Sequence, residues 1–121
     1  CLIAPGDFHM ELKSDIPGYE GTITLNQLPK ENGVRPNVNR LFKSVAPIFK
    51  ENTIGVVLTG MGSDGTEGSK AIKEMNGTIL AEAKESCIIY GMPKSVIEAG
   101  LADVIEMLEN IPVALIQLVD V

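Results

Sequence analysis

The sequence predicts an α/β fold with a mainly parallel sheet, flanked by helices on both faces and preceded by an antiparallel β-hairpin. Two observations predict this class. From residue 36 onward, amphipathic helical segments alternate with short apolar segments, and nearly continuous apolar strands are typical of parallel sheets buried on both faces. Before residue 30, two short strand candidates are separated by a loop that contains glycine and proline, as expected for a hairpin.

The first third of the chain supplies the antiparallel part. We predict strands at residues 2–4, 10–13 and 22–25, a turn at Pro5, Gly6 and Asp7, and a connecting loop at residues 14–21. Residues 28–34 are polar and rich in turn formers, so we expect a surface connection there.

A helix is predicted from Pro36, which suits a first helical turn because its missing N–H needs no partner there. Pro47 should kink the helix or end its regular part nearby. The predicted buried face has the i, i+3, i+4, i+7 spacing of an amphipathic helix and consists of Val38, Leu41, Phe42, Val45, Ile48 and Phe49.

The rest of the chain alternates strand and helix. Strands are predicted at residues 54–59, 78–82 and 103–106, and helices at 65–76, 93–99 and 112–119. Gly77 and Gly100 follow two of these helices, as glycine often does at a helix C-terminus. Parallel strands joined through helices require right-handed crossovers.

Composition narrows the function classes. A net charge of −6 argues against an electrostatic grip on nucleic acid or on an anionic membrane. No apolar run approaches the roughly 20 residues of a membrane span, and no signal-peptide pattern is present. Cys1 and Cys87 are too few for a disulfide framework, so we expect a reducing, cytoplasmic setting. The chain starts without Met in a strand-like segment, and we expect residues 1–121 to be part of a longer protein.

The most informative segment is residues 56–68, where an apolar strand runs into a glycine-dense turn that carries Asp64. In open α/β sheets, ligands and catalytic groups gather beyond the carboxyl ends of the strands. Asp64 is therefore a candidate functional residue, and three interpretations of it are open.

In the first interpretation, Asp64 only caps the helix that follows. Asp64 and Glu67 fit a capping box, in which the side chain of each residue accepts a hydrogen bond from the backbone amide of the other. The helix dipole also favours a carboxylate at this position. This interpretation leaves one feature unexplained, the crowding of Gly60, Gly62, Gly65 and Gly68.

In the second interpretation, the segment is a non-catalytic, Rossmann-like nucleotide-binding module. Gly60-x-Gly62-x-x-Gly65 follows a strand and precedes a helix, and Glu82 ends the next strand about 17 positions on, near where a ribose-binding acid is expected. Two features oppose it. Asp64 would place a negative charge beside the pyrophosphate, and the motif begins more than 50 residues into the chain.

In the third interpretation, Asp64 is the acid of a Ser-His-Asp hydrolase, and the glycines let backbone amides approach a substrate oxyanion. The partners are missing from these residues, since the only histidine is His9 and no serine lies in a Gly-x-Ser-x-Gly motif. Cys87 has acidic and apolar neighbours, so we interpret it as a packed thiol. One histidine and two distant cysteines lack metal-ligand spacing, and we predict neither a metal nor a cofactor.

Four segments, in order, carry a family resemblance. Residues 58–65, Leu-Thr-Gly-Met-Gly-Ser-Asp-Gly, closely resemble the Leu-Thr-Gly-Met-Gly-x-Asp-Gly segment of the chemotaxis protein-glutamate methylesterase (CheB-type) family. Residues 3–10 resemble its Ala-Pro-Gly-Asp-x-His strand and turn, and residues 35–46 resemble its helix after an Arg-Pro-Ser-Val type start. Residues 85–93 are similar to its Ser-Cys-Val-x-x-Gly-Met-Pro block.

The resemblance implies hydrolysis of glutamate γ-methyl esters on chemoreceptor helices, and possible deamidation of glutamines, by a Ser-His-Asp triad. It assigns the acid to Asp64 and the oxyanion or substrate-binding turn to Met61, with Gly60 and Gly62. The family's serine and histidine segments precede the first block, so we expect this chain to be the C-terminal part of the catalytic domain and to be inactive alone. His9 matches a later histidine of the family, and we expect it at the edge of the cleft without a catalytic role.

The same resemblance suggests the partners. They are methylated chemoreceptor helices and the N-terminal remainder of the catalytic domain. A regulatory receiver domain is common ahead of this catalytic domain in the family, but it cannot be inferred from these residues. A sheet that lacks its N-terminal strands exposes an edge, so we also expect the isolated chain to dimerise or aggregate through that edge.

Overall fold

The computed structural model describes residues 1–16 and 21–119 as a small antiparallel hairpin beside a parallel α/β unit. The strands and helices alternate after the hairpin, as the sequence predicts. In chain order the elements are β1 (His9–Lys13), β2 (Thr22–Asn26), α1 (Val38–Phe49), β3 (Ile54–Val57), α2 (Thr66–Glu74), β4 (Thr78–Glu82), α3 (Met92–Glu98), β5 (Val104–Glu106) and α4 (Ile111–Val119), with single 3₁₀ turns at Lys50–Asn52, Lys84–Ser86 and Leu108–Asn110.

The three later strands form one parallel sheet in the order β3-β4-β5. Successive residues of β4 point to opposite faces, which places Ile79 in one core and Leu80 in the other. One face packs against α1, α2 and α3 in a cluster of Ala46, Val57, Ile72, Ile79 and Val96. The other face packs against α4 through Leu80, Ile111 and Ala114. The predicted parallel sheet with helices on both faces is confirmed.

The predicted hairpin is also confirmed. β1 and β2 pair antiparallel, with His9 opposite Asn26 and Lys13 opposite Thr22. The hairpin is tied to α1, because the Leu12 amide donates to the Ser44 hydroxyl at 2.9 Å. The loop predicted at residues 14–21 falls partly outside the described residues, which omit 17–20.

Ionic contacts add to the attachment of the hairpin. Arg40 of α1 contacts Glu11 of β1 at 3.2 Å and Glu31 at 3.1 Å. Burial raises the pKa of Glu11, but hydrogen bonds from Asn26 and Arg40 outweigh it, so the pKa lies below its ordinary value. The Glu11 carboxylate is therefore ionised at neutral pH, where it holds α1 against β1.

One predicted strand is absent, and another ends earlier than predicted. Residues 2–4 form no strand, because no segment of the described chain pairs with them, and Ile3 is 88% exposed. β3 ends at Val57 rather than at residue 59. Beyond Val57 the chain diverges from β4, and the amides of Thr59 and Gly60 donate to acceptors outside the strand ladder.

Pro47 lies inside α1 without ending it at once. The α-helix continues to Phe49 and tightens into the 3₁₀ turn Lys50–Asn52. Regular helix thus ends two residues after the proline, close to where the sequence predicts a break. No helix in the described ranges 1–16 and 21–119 combines the length and apolar character needed to cross a lipid bilayer.

Gly68 allows α1 and α2 to approach closely, and we expect Gly68→Ala to lower the free energy of unfolding by about 2 kcal/mol. A Cβ atom at residue 68 would lie 2.6 Å from the Phe42 Cβ and 3.0 Å from the Asn39 Cα. Chemical denaturation measures the effect. Gly6→Ala is the matched control, since its Cβ would meet nothing within 4 Å. Equal stability of the two variants would contradict the tight helix contact.

Candidate active site

Asp64 lies where the N-termini of two helices meet. It follows β3 in the chain and is 8% exposed. Its two oxygens accept hydrogen bonds from first-turn amides of α1, the Val38 amide at 2.7 Å and the Asn39 amide at 3.0 Å. First-turn amides have no partner within their own helix, so the Asp64 side chain satisfies two of them.

Asn39 makes the reciprocal contact from α1 to α2. Its side chain is buried, and its Oδ1 accepts the amides of Gly65 at 3.0 Å and Gly68 at 2.8 Å. Gly65 itself has a φ of 100°, which favours glycine because it has no Cβ. Each helix start is therefore capped by a side chain from the other helix's start.

This arrangement overturns the capping-box interpretation. Gly65 is the N-cap residue of α2 and makes no side-chain cap bond. Asp64 instead binds amides of α1, a helix that begins 26 residues earlier in the chain. Asp64 still has a capping role, but it caps a helix that a local sequence pattern does not reveal.

Both oxygens of the Asp64 side chain face amide donors at the start of α1. The positive ends of two helix dipoles converge on it, and charge-assisted hydrogen bonds hold both of its oxygens. Each carboxylate oxygen has two lone pairs, and each accepts one amide among the described residues. Asp64 therefore retains acceptor capacity for a further donor, such as an imidazole N–H.

The turn after β3 is held by the segment that precedes α3. The Gly60 amide donates to the Ile89 carbonyl at 3.1 Å, and the Met92 amide donates to the Gly60 carbonyl at 2.9 Å. The Thr59 hydroxyl accepts the Ile89 amide at 2.8 Å. A Cβ at Gly91 would lie 2.6 Å from the Gly60 carbonyl oxygen, so a glycine there permits this close contact.

The same turn presents free donors. Met61 is 81% exposed. Among residues 1–16 and 21–119, the backbone amides of Met61 and Gly62 have no hydrogen-bond acceptor. Backbone amides fixed in a turn and free to donate are what an oxyanion site requires. Of the three residues predicted for the oxyanion turn, Met61 and Gly62 thus offer a free amide beyond the carboxyl end of β3, whereas the Gly60 amide is already bound by the Ile89 carbonyl.

Glu82 does not have the role that the dinucleotide interpretation needs. It is fully buried and accepts the Thr59 amide at 2.9 Å and the Ser86 hydroxyl at 2.8 Å. A fully buried carboxylate is closed to a ribose hydroxyl. Glu82 therefore gives the nucleotide-binding interpretation no support.

The sequence predicts His9 at the edge of a cleft, but the structure places it elsewhere. It is fully buried at the start of β1, and its Nε2 donates to the Pro29 carbonyl at 3.0 Å. A fully buried histidine is closed to substrate, which is consistent with the expectation that His9 has no catalytic role.

Cys87 is half-buried, in surroundings that disfavour its thiolate. Burial raises the pKa of its thiol, and the negative charge of Glu82 raises it further. The thiolate is the reactive form of cysteine, so a raised pKa lowers the fraction of Cys87 that is reactive at neutral pH. The environment agrees with the packed thiol predicted from the sequence.

Comparison with known proteins identifies the family. The family model described as CheB methylesterase matches residues 1–115. The chain belongs to this family. Among members with curated names, a protein-glutamate methylesterase/protein-glutamine glutaminase of Thermotoga maritima is 48% identical over 117 residues, covering 97% of this chain and 33% of its own length. One of the same name from Methanosarcina barkeri is 42% identical over 120 residues, covering 98% of this chain and 33% of its own length.

A solved CheB structure shares the fold. The crystal structure of the Thermotoga maritima CheB methylesterase catalytic domain matches with a TM-score of 0.90 and 47% identity, covering 95% of this chain and 60% of that chain. The chain spans about a third of the length of the curated CheB relatives it matches.

Sequence reasoning missed Asn39, and it assigned Glu82 a ribose ligand where the structure shows the Thr59 amide and the Ser86 hydroxyl. Asparagine is unfavourable inside helices and favoured at caps, so Asn39 in a first helical turn is a detectable signal. The sequence does not show which helix it caps, because its partners Gly65 and Gly68 lie far along the chain.

Proposed function

We propose that this chain supplies the acid and the oxyanion turn of a protein-glutamate methylesterase that works through a Ser-His-Asp triad. The observation that carries the proposal is the position of Asp64, a nearly buried carboxylate with spare acceptor capacity beside free amides of the glycine turn. The names of the family relatives support the chemistry.

In this mechanism a serine attacks the γ-carbonyl of a methylated glutamate while a histidine removes the serine proton. Asp64 accepts the other N–H of that imidazole, which fixes its tautomer and stabilises its cation. The free amides of Met61 and Gly62 donate to the oxyanion of the tetrahedral intermediate. Methanol leaves, and water then releases the glutamate carboxylate. With a glutamine substrate the leaving group is ammonia.

The serine and the histidine come from outside residues 1–121, in an N-terminal remainder of the catalytic domain. The partners are methylated chemoreceptor cytoplasmic helices and a receiver domain that precedes the catalytic domain, and the setting is the cytoplasm. The isolated chain is inactive, because loss of the nucleophile and the base removes nearly all of the rate that a triad provides.

The experiment is release of methanol from methylated receptor, measured in parallel for the full-length protein and for residues 1–121. The full-length protein is expected to turn over substrate, and the isolated chain is expected to show no turnover above background. Turnover by the isolated chain at the full-length rate would contradict these roles, as would inactivity of the full-length protein.

The isolated chain is expected to associate through the outer edge of β3. In the described part of the sheet, β3 pairs only with β4, so its other edge exposes unpaired amides and carbonyls that can accept another strand. Sedimentation velocity checks this, with dimers or larger species expected for residues 1–121. A monomer at all concentrations tested would contradict it.

A further inference from the structure

Glu82 is a buried acid that the proposed mechanism does not use. Its side chain is fully buried at the end of β4. A buried carboxylate is costly unless hydrogen bonds compensate it. Here both oxygens are bound, Oε1 by the Thr59 amide and Oε2 by the Ser86 hydroxyl.

The Thr59 bond lies where β3 and β4 separate. Their ladder ends with Val57 opposite Ala81. Ala83, the residue after β4, directs its amide to the other side and donates to the Glu106 carbonyl of β5 at 2.8 Å. Thr59 has no backbone acceptor on β4, and the Glu82 carboxylate takes the place of one.

The bond fixes the start of the glycine turn. The Thr59 amide is held by Glu82, and the next amide, that of Gly60, is held by the Ile89 carbonyl. The amide after these two is that of Met61, which has no acceptor among the described residues. Two consecutive anchored amides leave the peptide chain little freedom in where it directs the third.

We propose that Glu82 is a positioning residue for the oxyanion turn: by holding the Thr59 amide it sets the direction of the Met61 amide. This inference rests on the proposed function. Glu82 does not touch substrate and acts only through the backbone. Because misplacement of a catalytic donor by about 1 Å costs roughly 100-fold in rate, loss of the anchor should act on kcat rather than on substrate binding.

The test uses the full-length protein and methanol release. Glu82→Leu removes the acceptor at similar size, and we expect kcat to fall between about 10-fold and 100-fold with KM changed less than about twofold. Glu82→Gln keeps a carbonyl oxygen for the Thr59 amide, and its NH₂ group can donate to the Ser86 oxygen. We therefore expect kcat of Glu82→Gln to stay within about threefold of the unaltered protein.

Ser86→Ala is the matched control. It removes the other partner of Glu82 and leaves the Thr59 bond in place, so kcat per folded molecule should be retained even if the melting temperature falls. A folded Glu82→Leu protein with unaltered kcat would overturn the proposal. If Glu82→Leu does not fold, Glu82→Gln decides, because a 10-fold loss of kcat in that variant would overturn it.

Amide hydrogen exchange adds a readout that does not depend on activity. The Thr59 amide should be protected in the unaltered protein and in Glu82→Gln, and should exchange faster in Glu82→Leu.

Asp64→Asn, measured in the methanol-release assay, separates the positioning role of Glu82 from the proposed function. If Asp64→Asn is inactive while Glu82→Leu is fully active, the positioning role fails alone. If Asp64→Asn is fully active, the proposed function itself fails.

Discussion

Asp64→Asn in the full-length protein is expected to lower kcat by about 10⁴-fold, with KM little changed. The amide cannot stabilise an imidazolium cation, and its NH₂ group faces the imidazole N–H with the wrong polarity. Stability should fall by only about 1 kcal/mol, because the one remaining carbonyl oxygen can satisfy one of the two α1 amides that the carboxylate now holds. Methanol release and thermal unfolding on the same preparation measure both effects.

Asp103→Asn is the matched control for that experiment. Asp103 also accepts a backbone amide, that of Ile79 at 2.8 Å, and pairs with Lys73 at 2.7 Å. Its replacement should cost stability and leave kcat per folded molecule unchanged. If Asp64→Asn loses no more activity than Asp103→Asn, then Asp64 serves only to cap α1.

Asn39→Ala is expected to lower the free energy of unfolding by about 2–6 kcal/mol. Two amides, those of Gly65 and Gly68, would lose their side-chain acceptor in a buried place, and each unsatisfied buried donor costs about 1–3 kcal/mol. Chemical denaturation measures the loss. Asn110→Ala, at an exposed position, is the control and should change stability by less than about 0.5 kcal/mol.

A second substitution of Asn39 tests how a negative charge beside Asp64 affects stability. Asn39→Asp keeps an acceptor for the two amides but places a second carboxylate beside Asp64. We expect it to be less stable than the unaltered protein at neutral pH and to recover as the pH falls and one carboxyl is protonated. Loss of less than 1 kcal/mol for Asn39→Ala would contradict the reciprocal capping of α1 and α2.

The sequence predicts most elements of the fold because its periodicities are local. The change from strand to helix period near Pro36, and the alternation that follows, come from residues whose spacing alone reports burial. The prediction fails at residues 2–4, because a strand exists only where a partner pairs with it. It also places the end of β3 two residues late, because Thr59 leaves the ladder to bind Glu82.

The sequence also places the candidate site at Asp64, since a carboxylate beyond a buried strand stands at the functional edge of such a sheet. It does not predict which groups Asp64 binds. The capping box is a local pattern, whereas the observed cap joins residues 26 positions apart along the chain. For the same reason the sequence suggests a ribose ligand for Glu82, whose actual partners are Thr59 and Ser86.

The distance between the Asp64 carboxylate and the nearest imidazole nitrogen, in a crystal structure of the full-length protein, tests the central claim most directly. We expect a histidine from outside residues 1–121 to place its Nδ1 within hydrogen-bond reach of an Asp64 oxygen, about 2.6–3.2 Å. A carboxylate that binds only the amides of Val38 and Asn39, with every imidazole beyond reach of even one bridging water, would contradict the triad.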